Sequence, residues 1–222
     1  MKTVFGWSDG GSACEYYRLR VPLEHLTRRG LVDARFGGHF QTPQPNVLPD
    51  VVIGQRVNRP EPATMWRMMH SGQLGSRPRM IYELDDDLFH VPEGNPVHGH
   101  FSRRSVQRTI LDCMSVADVI TVSTQTLADV VREKLWIYGA TVKRIVVIPN
   151  ALPLIAYRHE RRGLNFSAHR VVGWAGSATH RDDFDHVAPG LAEFLRRKRN
   201  WKFLAVGTLF PSVRDAVRPA QR

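Results

Sequence analysis

The strongest constraint on this chain is an alternation that runs along nearly all of it: short apolar, β-rich runs take turns with amphipathic stretches of helical length. Strand-like runs fall at Thr3–Trp7, Val32–Phe36, Asp50–Gly54, Arg79–Leu84, Val119–Val122, Arg144–Ile148, Arg170–Trp174 and Trp201–Val206. Helix-like segments lie between them at Ala13–Arg29, Pro62–Ser71, Ser102–Ser115, Thr124–Tyr138 and Arg181–Lys198. Such alternation implies βαβ units, because a parallel neighbour strand is reached only by a crossover long enough to carry a helix. The expected fold class is therefore α/β with a largely parallel sheet.

The strand signals divide unevenly. Six precede residue 150 and two follow residue 169. Between them the sequence has no clear period and carries a charge cluster, which is the composition of a linker. The expected organisation is a domain over 1–150, a linker over 151–169 and a second domain over 170–222. Two strands and one helix cannot cover both faces of a parallel sheet, so the second domain reads as partial and the chain as truncated.

Within that second part, RVVGWAGSATHRDDFDH at 170–186 reads as a strand, a Gly-bearing turn and the first turn of a helix. Gly176 would let the backbone approach a ligand, and a helix starting near Thr179 would aim free N–H groups at a phosphate. The plainer reading is an ordinary tight turn capped by Ser or Thr. Ser177 and His180 flank the same turn, and the imidazole could hydrogen-bond a leaving diphosphate or simply lie on the surface.

Charge narrows the partners less than its size suggests. The chain carries 31 Lys and Arg against 21 Asp and Glu, a formal net charge of +10. That balance admits nucleic acid, peripheral contact with an anionic membrane surface, or anionic small molecules. Much of it, however, sits in clusters near helix ends, such as Arg196–Arg199, where cations suit the helix dipole. No aromatic-interleaved basic motif is present, so nucleic acid is not the expected partner. No apolar run approaches the ~20 residues that span a bilayer. Two cysteines, Cys14 and Cys113, are too few for a disulfide framework or a Cys-based zinc site, and a cytoplasmic location is the default.

Candidate chemistry gathers at strand ends. Asp85, Asp86 and Asp87 follow a strand and should project from the carboxyl edge of the sheet, where α/β proteins bind ligands. Adjacent carboxylates suit a proton acceptor or a cation site, and equally suit a helix cap with acidic first-turn residues. Gly10 and Gly11 close the first βα turn, where they permit either phosphate approach or a tight bend. Tyr17 and Arg18 lie a turn into the next helix; Arg18 could steady an anionic ligand or pair with one of the Asp residues. Met65, Trp66, Met68 and Met69 read as core. No nucleophile elbow, Walker loop or zinc triad is present.

Four segments in order, YELDDDLF at 82–89, ADVITVSTQTL at 117–127, VVVIPNALP at 146–153 and VGWAGSATHRDDF at 172–184, resemble the landmarks of GT-B glycosyltransferases. The likeness is greatest to the group that includes glycogen synthases and mannosyltransferases, in its bacterial and phage members. The start, SDGGSACEYYRLRVPLEHL, is similar to the Gly loop and acceptor-side helix that open such chains. The resemblance implies two Rossmann-like domains, the first holding the acceptor and the second the nucleotide-sugar. It implies Asp85 and Asp86 as catalytic residues, Tyr17 and Arg18 on the acceptor side, and Gly10, Gly11, Gly176, Ser177 and His180 on the donor side. It implies no metal and no cofactor, the nucleotide-sugar being the donor substrate and the acceptor a glycan, lipid or protein. It also implies a pair of Glu residues late in the second domain, which this sequence does not reach. The alternatives are a noncatalytic nucleotide- or sugar-binding Rossmann module and a basic nucleic-acid-associated protein.

Overall fold

The computed structural model describes residues 1–8, 12–40, 47–141, 144–153, 170–208 and 211–212. Among these the chain forms two compact units, one of Met1–Phe89 with Arg103–Tyr157 and one of His90–Ser102 with Arg158–Arg222. The expected linker lies almost wholly outside the described residues.

The first unit is built on six parallel strands: β1 (Lys2–Trp7), β2 (Val32–Gly37), β3 (Val51–Gln55), β4 (Arg79–Leu84), β5 (Val119–Val122) and β6 (Ile145–Val147). Their spatial order is β2-β1-β3-β4-β5-β6, every pairing parallel, which is a Rossmann-like arrangement. The chain reverses its direction of sheet growth between β1 and β3. The carboxyl ends of those strands border the crevice in which α/β folds bind ligands.

Helices cover both faces, as a parallel sheet requires. Alternate residues of β3 divide between them. Val51 and Ile53 pack with Val4, Leu19 and Leu23 under the first helix, while an atom added at Gly54 would strike the Trp66 ring at 2.5 Å. Trp66, on α2 (Pro60–His70), is fully buried, packs edge-on against Tyr82 and donates its indole N–H to the Cys113 carbonyl at 2.9 Å. Cys113 belongs to α4 (Arg104–Ser115), which follows the short α3 (His98–Phe101), and α5 (Gln125–Ile137) completes the cover. Trp66 and Met69 are core as expected, with Met65 and Met68 half-buried.

The first helix, α1, is continuous but not regular: Ala13–Glu15 leads into a π-helical turn at Tyr16–Arg20 and then Val21–Arg28. Pro22 is the cause. It has no N–H to give the Arg18 carbonyl, and its ring crowds that group, so the helix widens and Val21 bonds back to Tyr16. The widened turn carries Tyr17 and Arg18.

The second unit contains β7 (Arg170–Gly176) and β8 (Trp201–Gly207), paired in parallel, with a 3-10 turn at Ala178–His180 and α6 (Arg181–Arg197) between them. Phe184 and Ala188 of α6 are buried against Trp174, Leu191 and Phe203. Among the described residues this unit comprises one βαβ. Among the described residues no helix is long and apolar enough to cross a membrane.

Candidate functional site

The segments that follow β4 and β6 meet α1 around a cavity of about 350 Å³, lined by residues that include Cys14, Tyr17, Arg18, Asp85, Asp86 and Asn150. Beneath it lies a buried network. Glu83, 3% exposed at the end of β4, accepts from Arg18 Nε at 2.7 Å and from Gln55 Nε2 at 2.9 Å. Burial pushes the Glu83 carboxyl above its ordinary value, and the Arg18 guanidinium opposes that rise. Arg18 also donates through Nη1 to the Ile148 carbonyl at 2.6 Å and to Asn150 Oδ1 at 3.2 Å. One guanidinium thus ties α1, β4 and the segment leaving β6 together.

Arg18 therefore pairs with Glu83 and not with an aspartate. Two of its nitrogens are engaged inside the protein and its side chain is only 5% exposed, although it does line the cavity.

The aspartates are met instead by Arg56, directly after β3. Its Nε lies 2.5 Å from Asp85 Oδ1, and its Nη2 pairs with Asp86 Oδ2. Arg56 stands at φ +50°, the one non-Gly residue with positive φ among those described, so this placement costs backbone strain of the kind found at functional sites. Its N–H donates to the Glu83 carbonyl at 3.0 Å, which fixes the strand tip on which the carboxylates sit. Ser123 Oγ donates to the Asp85 carbonyl at 2.6 Å and holds that tip from the β5 side. Asp87 is turned away: its Oδ1 accepts from the Phe89 N–H at 2.9 Å, a local turn bond. Of the three carboxylates, Asp85 and Asp86 line the cavity and Asp87 shapes the loop.

Cys14 completes the cluster. Burial and a hydrogen bond with Asp85 push its thiol up to about 12, against the pull of Arg56. One ligand atom each from Cys14, Asp85 and Asp86 lie within 4.8 Å of one another, which is metal-binding spacing. A cation there would compete with Arg56 for both carboxylates.

Gly10 and Gly11 lie outside the described residues. Gly176, Ser177 and His180 belong to the second unit. There Ser177 Oγ and Thr179 Oγ1 are 2.7 Å apart, the His180 N–H returns to the Ser177 carbonyl at 3.1 Å, and His180 Nδ1 lies 2.9 Å from Asp183 Oδ2. The His90–Ser102 segment packs on this turn, with Asn95 Nδ2 donating to the Thr179 carbonyl at 3.1 Å and Gly94 set against the Asp182 carboxylate. Gly176 also has a packing reason, since a Cβ there would sit 2.9 Å from Trp174 Nε1. At Gly207, with φ +102°, a Cβ would fall 2.2 Å from the Gly176 carbonyl oxygen.

Sequence reasoning missed Arg56, Glu83, Gln55 and Cys14. Glu83 had a signal, a carboxylate between Tyr82 and Leu84 in an otherwise apolar strand; such a position is stable only with a buried partner. Arg56 had none, because its pairing and its backbone conformation are tertiary facts.

Fold and site together define a Rossmann-like α/β protein with its polar cluster at the sheet's topological switch point. No family model matches the chain, and no curated protein matches it. Among solved structures, the co-structure of S. aureus MnaA with UDP is similar, with a TM-score of 0.56 at 11% identity over 100% of this chain. The chain spans 66% of the length of that protein, and at this identity the likeness concerns the fold alone.

Proposed function

We propose that this chain binds a nucleotide-sugar and transfers its sugar to an acceptor hydroxyl, with the acceptor in the cavity of the first unit and the diphosphate at the Ser177–His180 turn of the second. The observation that carries this reading is the placement of Asp85 and Asp86 on a cavity wall at the carboxyl edge of a parallel sheet, beside its switch point. The likeness of the fold to a protein solved with UDP supports the donor class. In such a transfer the protein must stabilise the departing diphosphate and align the attacking hydroxyl. The carboxylates would align the hydroxyl as hydrogen-bond acceptors, and the turn with His180 would face the diphosphate.

A second reading, a noncatalytic nucleotide-sugar-binding module, draws on Arg56. A guanidinium bonded to both carboxylates occupies acceptor positions that a general base would offer the substrate hydroxyl, which favours alignment and binding over general-base catalysis.

Calorimetry with UDP, UDP-glucose and UDP-N-acetylglucosamine, together with an assay of released UDP over a panel of sugar acceptors, separates the readings. Binding with acceptor-dependent UDP release is the expected result. Binding without release selects the module, and absence of any nucleotide binding removes both.

A further inference from the structure

We propose that the cavity of the first unit selects a neutral, hydroxyl-rich group of monosaccharide size and rejects anionic ones. This deepens the transferase reading and rests on it for the word acceptor, but the binding property itself follows from the cavity's chemistry.

Charge comes first. Two guanidinium groups, Arg18 and Arg56, meet three carboxylates, Glu83, Asp85 and Asp86. The Arg18 side chain is 5% exposed and three of its hydrogen bonds go to Glu83, Ile148 and Asn150. Arg56 is bonded to both aspartates. Among the described residues both guanidinium groups are bonded to internal partners, and they meet one more carboxylate than there are guanidinium groups. In a chain of net +10 this is a locally acidic recess. A phosphate or carboxylate entering it would face the Asp86 side chain, which is 68% exposed, while the two guanidinium groups beside it among the described residues already hold carboxylate partners.

Hydrogen-bond character comes second. A carboxylate's oxygens are hydrogen-bond acceptors, so it recognises O–H donors. Asp86 at the rim and Asp85 behind it supply such acceptors, while Ala13, Leu152 and the Tyr17 ring offer apolar surface for the C–H face of a sugar ring. Volume comes third: about 350 Å³ lies at the small end of ligand pockets, which run from about 300 to 1,000 Å³. It is large enough to admit one sugar ring.

The test uses the 222-residue chain and two matched sets of probes: the methyl pyranosides of glucose, galactose, mannose and N-acetylglucosamine, and their 6-phosphates. Saturation-transfer NMR with titration reads the affinities. At least one neutral glycoside is expected to bind, with its 6-phosphate weaker by about tenfold or more, a difference of roughly 1.4 kcal/mol. Asp86→Asn, at an exposed side chain, should leave the fold intact and shrink that gap to about threefold or less, since one repelling charge is gone. A phosphate that binds as well as its parent sugar overturns the proposal, and so does a full panel that fails to bind. Mn²⁺ that binds at the cluster and enhances the phosphorylated probes also overturns it. Calorimetry with UDP on the same sample separates this outcome from the transferase reading. UDP binding without glycoside binding removes the inference alone, and glycoside binding without UDP removes the transferase reading and leaves the subsite.

Discussion

Arg56 and Asp85 are joined across the tips of neighbouring strands, Nε to Oδ1 at 2.5 Å, by an arginine whose own backbone is left-handed at φ +50°. The two features oppose each other in free energy. A left-handed non-Gly residue costs roughly 1–2 kcal/mol, and the pair with Asp85, 8% exposed, and Asp86 offsets that cost.

The opposition can be dissected by substitution. Arg56→Ala keeps the strained backbone and strands Asp85 without its cation, so a loss of about 2–3 kcal/mol is expected, below the ~3–5 of a fully buried pair because Arg56 is 24% exposed. Arg56→Gly loses the same pair but relaxes the backbone, and should be about 1 kcal/mol more stable than the Ala variant. Urea denaturation of the three proteins measures both differences. Equal stability of the Ala and Gly variants would show that the backbone carries no strain.

The Arg18–Glu83 pair is deeper, and its prediction is sharper. Glu83→Ala leaves a guanidinium only 5% exposed without its carboxylate, and a loss of about 3–5 kcal/mol is expected. That is enough to unfold a marginal domain. The double variant Arg18→Met with Glu83→Leu removes both charges and should recover most of the loss, because the pair's large desolvation cost disappears with it. A double variant no more stable than Glu83→Ala would mean that Arg18's bonds to Ile148 and Asn150 outweigh its pairing with Glu83.

These residues mark where sequence reading stopped. The strands were legible to within two residues at each end, from Arg79–Leu84, which matched in full, to Arg144–Ile148, which shortened to Ile145–Val147. Period and β-branching are local properties, and a parallel sheet buried on both faces keeps them pure. The Ser102–Ser115 helix begins two residues later than expected, at Arg104, because Arg103 is extended, and a separate short helix at His98–Phe101 precedes it. The association of His90–Ser102 with the second unit was not legible, since it depends on contacts such as Asn95 with Thr179, 84 residues apart. At the site, position was legible and pairing was not. The three aspartates fell at a strand end as expected, but which cation met them depended on a turn after β3 with no sequence signature. For Arg18 the partner lay two positions before the first of the aspartates, at Glu83 instead of Asp85.

Thiol reactivity offers a probe of the same cluster that needs no ligand. With Cys14 and Cys113 both pushed to about 12 by burial, and Cys14 further by Asp85, alkylation by iodoacetamide should be slow at pH 8 and rise with pH towards 12. Asp85→Asn removes a carboxylate that raises the Cys14 value, so Cys14 should be alkylated faster in that variant at fixed pH. The linkage has a definite sign. Between pH 9, the ordinary thiol value, and about 12, the unfolded chain loses protons that the folded chain keeps, so these thiols lower stability as pH rises through that window. Peptide mapping by mass spectrometry resolves the two sites, and rapid modification of Cys14 at pH 8 would contradict its assigned environment.

The second unit carries the test of where a diphosphate would lie. The first turn of α6 already holds Asp182 and Asp183, which occupy the positive end of the helix dipole, and Asp183 also holds His180 at 2.9 Å. A diphosphate placed at this turn must approach those carboxylates, so Asp183→Asn should tighten UDP binding by about threefold to tenfold, matching the ~0.7–1.4 kcal/mol of a relieved surface repulsion. The gain should fade as salt is raised from 20 to 500 mM, because exposed charges are screened within a Debye length of roughly 20 Å at the low end and 4 Å at the high end. Ser177→Ala should weaken UDP only slightly, since that hydroxyl is engaged with Thr179. Calorimetry at the two salt concentrations reads all three effects. Affinity for UDP that is indifferent to Asp183 and to salt would move the diphosphate away from this turn, and with it the donor role assigned to Gly176, Ser177 and His180.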